Sequence, residues 1–348
     1  MALLTRDFTR LAPRCMPSTP VTIARPGEVP SCDRMPPHAL RQIVRSIMGL
    51  LQRMWAALDP VWGAGTPVLL PYLTFVLLFV FSQGYAYHCV LIKILCVAGV
   101  LYRPLIRMPS FWLALATLLG MGVYLTWYAA DNHKYLMAYW CLALACGLAV
   151  PEHRRRELLV VNARLLIGLC MALALGWKLL TPSFVDGSFF RLTLQSDRRF
   201  KYVASEFGGI PPAIWAQNRQ MEKQLVTGYL QGENVETVQL ADSPRLRALA
   251  AIMTWWTLAV ESTLAVLFLW PRELPLVPRL RDYVLLVFVY STYAIATVLP
   301  FGWTLIILGI AQTPPTSRWL RAAYFGAFLL VPLYLLPWQS ALHALLFS

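Results

Sequence analysis

Apolar residues in this chain come in long blocks rather than in alternation. Blocks fall at about 67–84, 86–102, 110–129, 134–150, 158–180, 248–270, 282–299, 301–313 and 320–338. Most approach the roughly 20 residues that a helix needs to cross a hydrocarbon core of about 30 Å. Strands are not expected, because period-2 alternation is absent and open sheet edges cannot be satisfied in lipid. The pattern predicts an all-α fold, a polytopic helical membrane protein with about eight to nine transmembrane helices. The eighth block is short. Pro300-Phe301-Gly302 interrupts what would otherwise be one long helix, so a tight hairpin or a re-entrant segment is expected there.

Outside the blocks, residues 1–37 carry prolines and arginines and read as a disordered cytoplasmic tail, with Met35 and Met48 as alternative starts. Residues 38–58 place Leu40, Val44, Ile47, Leu51, Met54 and Leu58 on one helical face, with Arg41, Arg45 and Arg53 off it. That is the pattern of a basic amphipathic helix lying on a membrane surface. The remainder, 67–338, is the expected transmembrane domain, with one long extracytoplasmic loop at 181–247. Within that loop, the stretch beginning Pro211-Pro212 and ending near Gly228 or Gly232 predicts a helix. Ile214, Leu225 and Tyr229 are its expected docking residues toward the membrane.

Composition agrees with the pattern. The chain is 58% hydrophobic over 348 residues, and its 13 tryptophans and 15 tyrosines suit two interfacial belts. The net charge of +13 is mostly arginine, with lysine only at 93, 134, 178, 201 and 223. Arg103 and Arg107, Arg154 to Arg156, Arg272, Arg279 and Arg281, then Arg318 and Arg321 fall in alternate short loops. This is a positive-inside pattern, and it excludes a nucleic-acid-binding reading of the charge. It places the amino terminus in the cytoplasm, the protein in the cytoplasmic (inner) membrane, and loop 181–247 outside. Seven cysteines show no CxxC and no zinc-type spacing, so no metal is expected.

Ionisable residues inside apolar blocks are the candidate chemistry, because charge is costly in lipid. Lys178 stands near the outer end of the fifth block. It reads either as a lysine snorkelling to the interface or as a base whose ammonium form is disfavoured by desolvation. His133 opens the fourth block after Asp131-Asn132, at the same outer level; His88 and His343 map there too. It reads as a polar helix start capped by Asp131 or Asn132, or as a proton-handling partner of Lys178. Lys93 and Glu261 lie deeper and are expected to form a structural intramembrane pair.

Two motifs, "DNHKYLMAYWCLAL" and "GWKLLTPSFVDG", sit one span apart on either side of the basic "PEHRRREL". In this order they resemble the vitamin K-dependent gamma-glutamyl carboxylase family, whose membrane part is shared with bacterial proteins of the horizontally transferred transmembrane (HTTM) type. The resemblance covers about residues 120–190. It implies a lyase-type or oxygenase-type reaction using a reduced quinone of the vitamin K or menaquinone kind with O2 and CO2. It implies Lys178 as the base that deprotonates the quinol, His133 as its partner and Asn132 as the residue orienting the histidine. Trp140, Trp177, Trp255 and Trp256 would wall the quinone, unless they serve only as belt residues. The turn after Lys178 is one residue longer than in the carboxylase, and Leu179 replaces a second lysine. No counterpart of the luminal domain that grips protein substrates is present, so the substrate is left open. The expected partners are the lipid bilayer, the quinone and other membrane proteins. Two other readings remain: a non-catalytic scaffold or complex subunit, and a small-solute transporter using the Lys93–Glu261 region.

Overall fold

A computed structural model describes residues 66–82, 85–127, 131–231, 239–270, 277–296 and 298–335. The expected tail at 1–37, the amphipathic helix at 38–58 and His343 lie outside the described residues. Among the described residues all regular structure is helical, in agreement with the all-α expectation.

A helix covers each of the nine apolar blocks. They are α1 (Thr66–Phe81), α2 (Ala86–Leu101), α3 (Pro109–Leu125), α4 (Asn132–Ala149), α5 (Glu152–Leu180), α10 (Pro244–Leu269), α11 (Val277–Ile295), α12 (Leu299–Gln312) and α13 (Arg318–Leu330). Between α5 and α10 come α6 (Pro182–Val185), α7 (Ser188–Ser196), α8 (Lys201–Glu206) and α9 (Pro212–Leu230). Proline stands in the first turn of α3, α6, α9, α10 and α12, where its missing N–H has no intrahelical acceptor to lose.

Two helices, α5 and α10, are long and apolar enough to cross a bilayer by themselves. At 1.5 Å per residue they reach about 43 and 39 Å. The apolar helices Leu69–Phe81, Ala86–Leu101, Pro109–Leu125 and Leu299–Gln312 are shorter.

The eighth block follows α11 closely and packs against it, as the expected tight hairpin requires. The break falls between Ile295 and Leu299, and Pro300 lies inside the first turn of α12. α12 is buried along nearly its whole length and packs against α5, α13, α1, α11 and α4. An all-round apolar sequence suits a helix enclosed by others. Gly302 and Gly309 make the enclosure possible. A Cβ at Gly309 would lie 2.5 Å from the Tyr324 ring, and one at Gly302 would lie 2.9 Å from the Tyr293 ring.

Several arginines in the first turns of a helix close the end of the preceding one. Arg155 Nε donates to Val150 O at 3.1 Å beyond α4. Arg281 Nε donates to Leu267 O at 2.5 Å at the end of α10, and Arg321 Nη2 donates to Thr313 O at 3.0 Å beyond α12. A cation at a helix C-terminus meets unpaired carbonyls and the negative end of the dipole.

The 181–247 segment folds on its own small core of Leu194, Phe200, Ala204, Ile210 and Trp215, joined by Leu246 and Ala250 from the first turns of α10. Trp215 Nε1 donates to Leu194 O at 3.0 Å, and the Asn218 amide pairs with both backbone groups of Ala241. The predicted helix is α9, and within the protein it packs through Trp215 and Asn218. Tyr229 is exposed, and Ile214 is at the margin of exposure. Gly228 lies inside the helix, which ends at Leu230.

Candidate functional site

α5 stops at Leu180 because Pro182 follows, and the residue before a proline is biased toward extended backbone. Thr181 takes that conformation at φ −101°, ψ 106°. The chain then makes the single turn α6 and reverses at Gly187, whose φ of +79° favours a residue without a Cβ. Asp186 Oδ1 accepts from the Ser188 N–H at 2.8 Å and holds the reversal. This tight path gathers Phe184, Phe189 and Phe190 into one cluster, with ring centroids 5.3–5.4 Å apart.

Beneath that cluster lies a cavity of about 460 Å³. Its walls come from the end of α5, from α6 and α7, from the middle of α10 and from the end of α11. The lining is mostly aromatic and aliphatic. Set into it are Lys178 and Glu261, with Nζ 2.5 Å from both carboxylate oxygens. The lysine side chain keeps 21% of its exposure and the glutamate 8%. Lys178 Nζ also stands 5.5 Å from the Phe184 ring centroid, a cation–π contact.

The expected pairing of Glu261 with Lys93 is therefore corrected: the partner is Lys178. Lys93 sits on α2, which packs against α1 and α3, and its ammonium lies 5.8 Å from the Phe79 ring. α10 packs chiefly on α5. The sequence misled because α10 begins well beyond the end of α5. Glu261 is about 26 Å along α10 from Pro244, and Lys178 is about 3 Å from the end of α5. The first turns of α10 belong to the small core of the 181–247 segment, so counting from the end of the apolar block set Glu261 at the wrong level.

Of the four tryptophans expected around a ligand, Trp177 and Trp256 line the cavity. Trp140 and Trp255 do not. Trp140 is fully buried inside the bundle, where its Nε1 donates to Thr74 Oγ1 at 2.9 Å, and Trp255 is 62% exposed. Asn132 and His133 also lie off this cavity. Asn132 lines a separate groove of about 440 Å³ along α4 and α5, together with Tyr139, Cys170 and Leu173. His133 is buried at 5% exposure, and Asp131 occupies the N-cap position of α4 without a side-chain cap bond.

Arg199 borders the cavity but is held by Asp197, with Nη2 2.5 Å from Oδ2. Partial burial works to raise the Asp197 carboxyl pKa. The hydrogen bonds from the Arg199 side chain and backbone outweigh it, and the group sits below the usual carboxylate value.

Sequence reasoning missed the three phenylalanines and Tyr293, all of which line the cavity. The run Phe189-Phe190, one residue after the Asp186-Gly187 turn, was a readable signal for the first group. Tyr293 sits among other aromatic and hydroxyl residues of a predicted span and carried none. Among the described residues no group of His, Cys, Asp and Glu that could hold a metal is present. Comparison of the chain with family models, curated proteins and solved structures finds no match.

Proposed function

We propose that the chain is a polytopic membrane protein of the HTTM and vitamin K-dependent carboxylase-like kind, with the Lys178 cavity toward the extracytoplasmic face of the inner membrane. Burial supports the membrane part of this reading. Only 28% of the most apolar window of α5, and 33% of that of α10, is buried inside the protein. The core helix of a water-soluble protein would be mostly buried. Leu165, Leu169, Leu173 and Trp177 instead form an exposed apolar stripe along α5 at four-residue spacing.

The observation that carries the functional part is the cavity. About 460 Å³ lies within the usual ~300–1,000 Å³ of small-molecule sites, and an apolar lining with one polar pair suits an amphiphile. A reduced quinone of the vitamin K or menaquinone type fits that description, its ring against Trp177, Trp256 and the phenylalanines. Such a group, with O2 and CO2, would supply carboxylase- or oxygenase-type chemistry. The role of Lys178 changes from the expected free base, because its Nζ is bonded to both carboxylate oxygens of Glu261. Glu261 would accept the proton from a hydroxyl of the bound quinol, and the Lys178 ammonium would balance the charge left behind. Asn132 and His133, off the cavity, receive no step.

The test is oxygen consumption by the purified protein given menaquinol. The wild type is expected to retain quinone and take up oxygen. Lys178→Ala and Glu261→Gln should lose at least about 100-fold in rate, and Lys178→Arg, which keeps the cation, should fold and keep part of the rate. A second reading, a membrane subunit that performs no chemistry, is favoured by the pairing of Lys178 with Glu261 and by the position of His133. Absence of oxygen uptake with any quinol, together with unaltered assembly of Lys178→Arg, would select it.

A further inference from the structure

We infer that Tyr293 is the hydrogen-bonding anchor of the cavity's ligand, and that this ligand is an aromatic amphiphile carrying a carbonyl or phenolic oxygen. The inference rests on the quinone reading above and adds a residue that neither the sequence pattern nor the resemblance pointed to.

Tyr293 lies two residues from the end of α11 and lines the cavity together with Glu261. It is 1% exposed, and its hydroxyl oxygen is buried with no hydrogen-bond partner among the described residues. Nearly all buried hydroxyls in proteins are paired, so an orphan bordering a cavity asks for a partner that occupies the cavity.

Several other polar groups around the cavity are committed, and the Thr257 and Thr292 hydroxyls that also line it are only half-buried. Lys178 and Glu261 satisfy each other, and Arg199 is held by Asp197. Thr181, Thr193 and Ser291 donate to the carbonyls of Trp177, Phe189 and Val287 on their own helices at 2.7–2.8 Å. Tyr293 remains as the buried donor without an acceptor. Its ring is fixed in place, because it rests against Gly302, where an added Cβ would meet three ring atoms within 3.0 Å. A rigid donor costs little ordering on binding, which suits an anchor.

The ligand class follows from these features. The aromatic walls favour a flat ring, and a phenolic O–H needs an oxygen acceptor, which a quinone carbonyl or a quinol hydroxyl provides. An amphiphile without that oxygen would leave the hydroxyl unpaired.

The experiment uses the full chain in lipid nanodiscs and two probes of similar shape, menadione and the oxygen-free 2-methylnaphthalene. Equilibrium dialysis gives both dissociation constants for the wild type, Tyr293→Phe and Gly302→Ala. The wild type is expected to favour menadione. Tyr293→Phe should weaken menadione about tenfold, leave 2-methylnaphthalene unchanged, and melt no lower than the wild type when empty. Gly302→Ala, which displaces the ring, should weaken menadione in the same way. If the wild type binds menadione and Tyr293→Phe binds it equally well, the anchor is wrong while the quinone reading stands. Equal losses for both probes, or a Tyr293→Phe variant that does not fold, would mean the residue is structural and overturn the inference. A wild type that binds neither probe would overturn the quinone reading and the anchor together.

Discussion

Lys178 and Glu261 are 83 positions apart in the chain and in direct contact in the fold. Each is costly alone in an apolar setting, and together they cancel. Removing one partner strands the other, so Lys178→Met or Glu261→Gln should each destabilise by about 3 kcal/mol. This is the lower end of the range for buried pairs, because the lysine is partly reached by solvent. The double variant should lose at least about 1 kcal/mol less than the sum of the singles, measured by unfolding in detergent micelles. A simple sum would mean that the two groups do not depend on each other. Both residues stood out in the sequence as ionisable groups in apolar runs, and that much of the site was legible. Their partnership was not, since it depends on how far α10 extends past α5. Lys93 was the misleading alternative: it is equally conspicuous in the chain, yet it packs over Phe79 on another part of the bundle.

Where helices meet, polar residues that looked like loop ends turn out to be fasteners. Asp282 opens the apolar block of α11 and is 1% exposed. Its Oδ1 accepts from Gln312 Nε2, from Thr313 Oγ1 at 2.9 Å and from Tyr324 Oη at 2.9 Å, joining α11 to the end of α12 and to α13. Asp282→Ala would leave three buried donors without that acceptor, at about 1–3 kcal/mol each. A loss of at least about 3 kcal/mol is expected in the same unfolding measurement, and Tyr324→Phe should cost about 1 kcal/mol. An Asp282→Ala variant as stable as the wild type would mean that the three donors find other partners. The arginines show the same duality. Arg155, Arg281 and Arg321 carry the charge bias read from the sequence, and each also closes a helix end. Charge bias is visible in a linear chain, but the carbonyl that an arginine reaches is not. The positions of the helices themselves were legible to within a few residues, apart from α5, α10 and α11, which begin four to six residues upstream of their apolar blocks, and α13, which ends at Leu330 and passes into a 3-10 turn. α12 was placed correctly, but its short apolar block did not reveal that the helix is enclosed on all sides.

Across the protein, the proposed orientation puts the α7–α9 cluster and the arginine-bearing ends on opposite sides of a membrane. Cysteine labelling of intact cells with an impermeant maleimide checks it. Glu222→Cys on α9 should label in intact cells, and Arg155→Cys should label only after permeabilisation. The reverse result would invert the topology, and labelling of both in intact cells would remove the barrier between them. Block hydrophobicity, helical class and the bias of arginine among the loops are properties of neighbours along the chain, so the amino-acid order alone was enough to establish them. The Lys178–Glu261 contact, the assembly of the cavity walls and the enclosure of α12 each join segments far apart in the chain. They arise from the relative heights and rotations of packed helices, which depend on close-fitting side chains and glycines at particular crossings, and a one-dimensional pattern does not encode them.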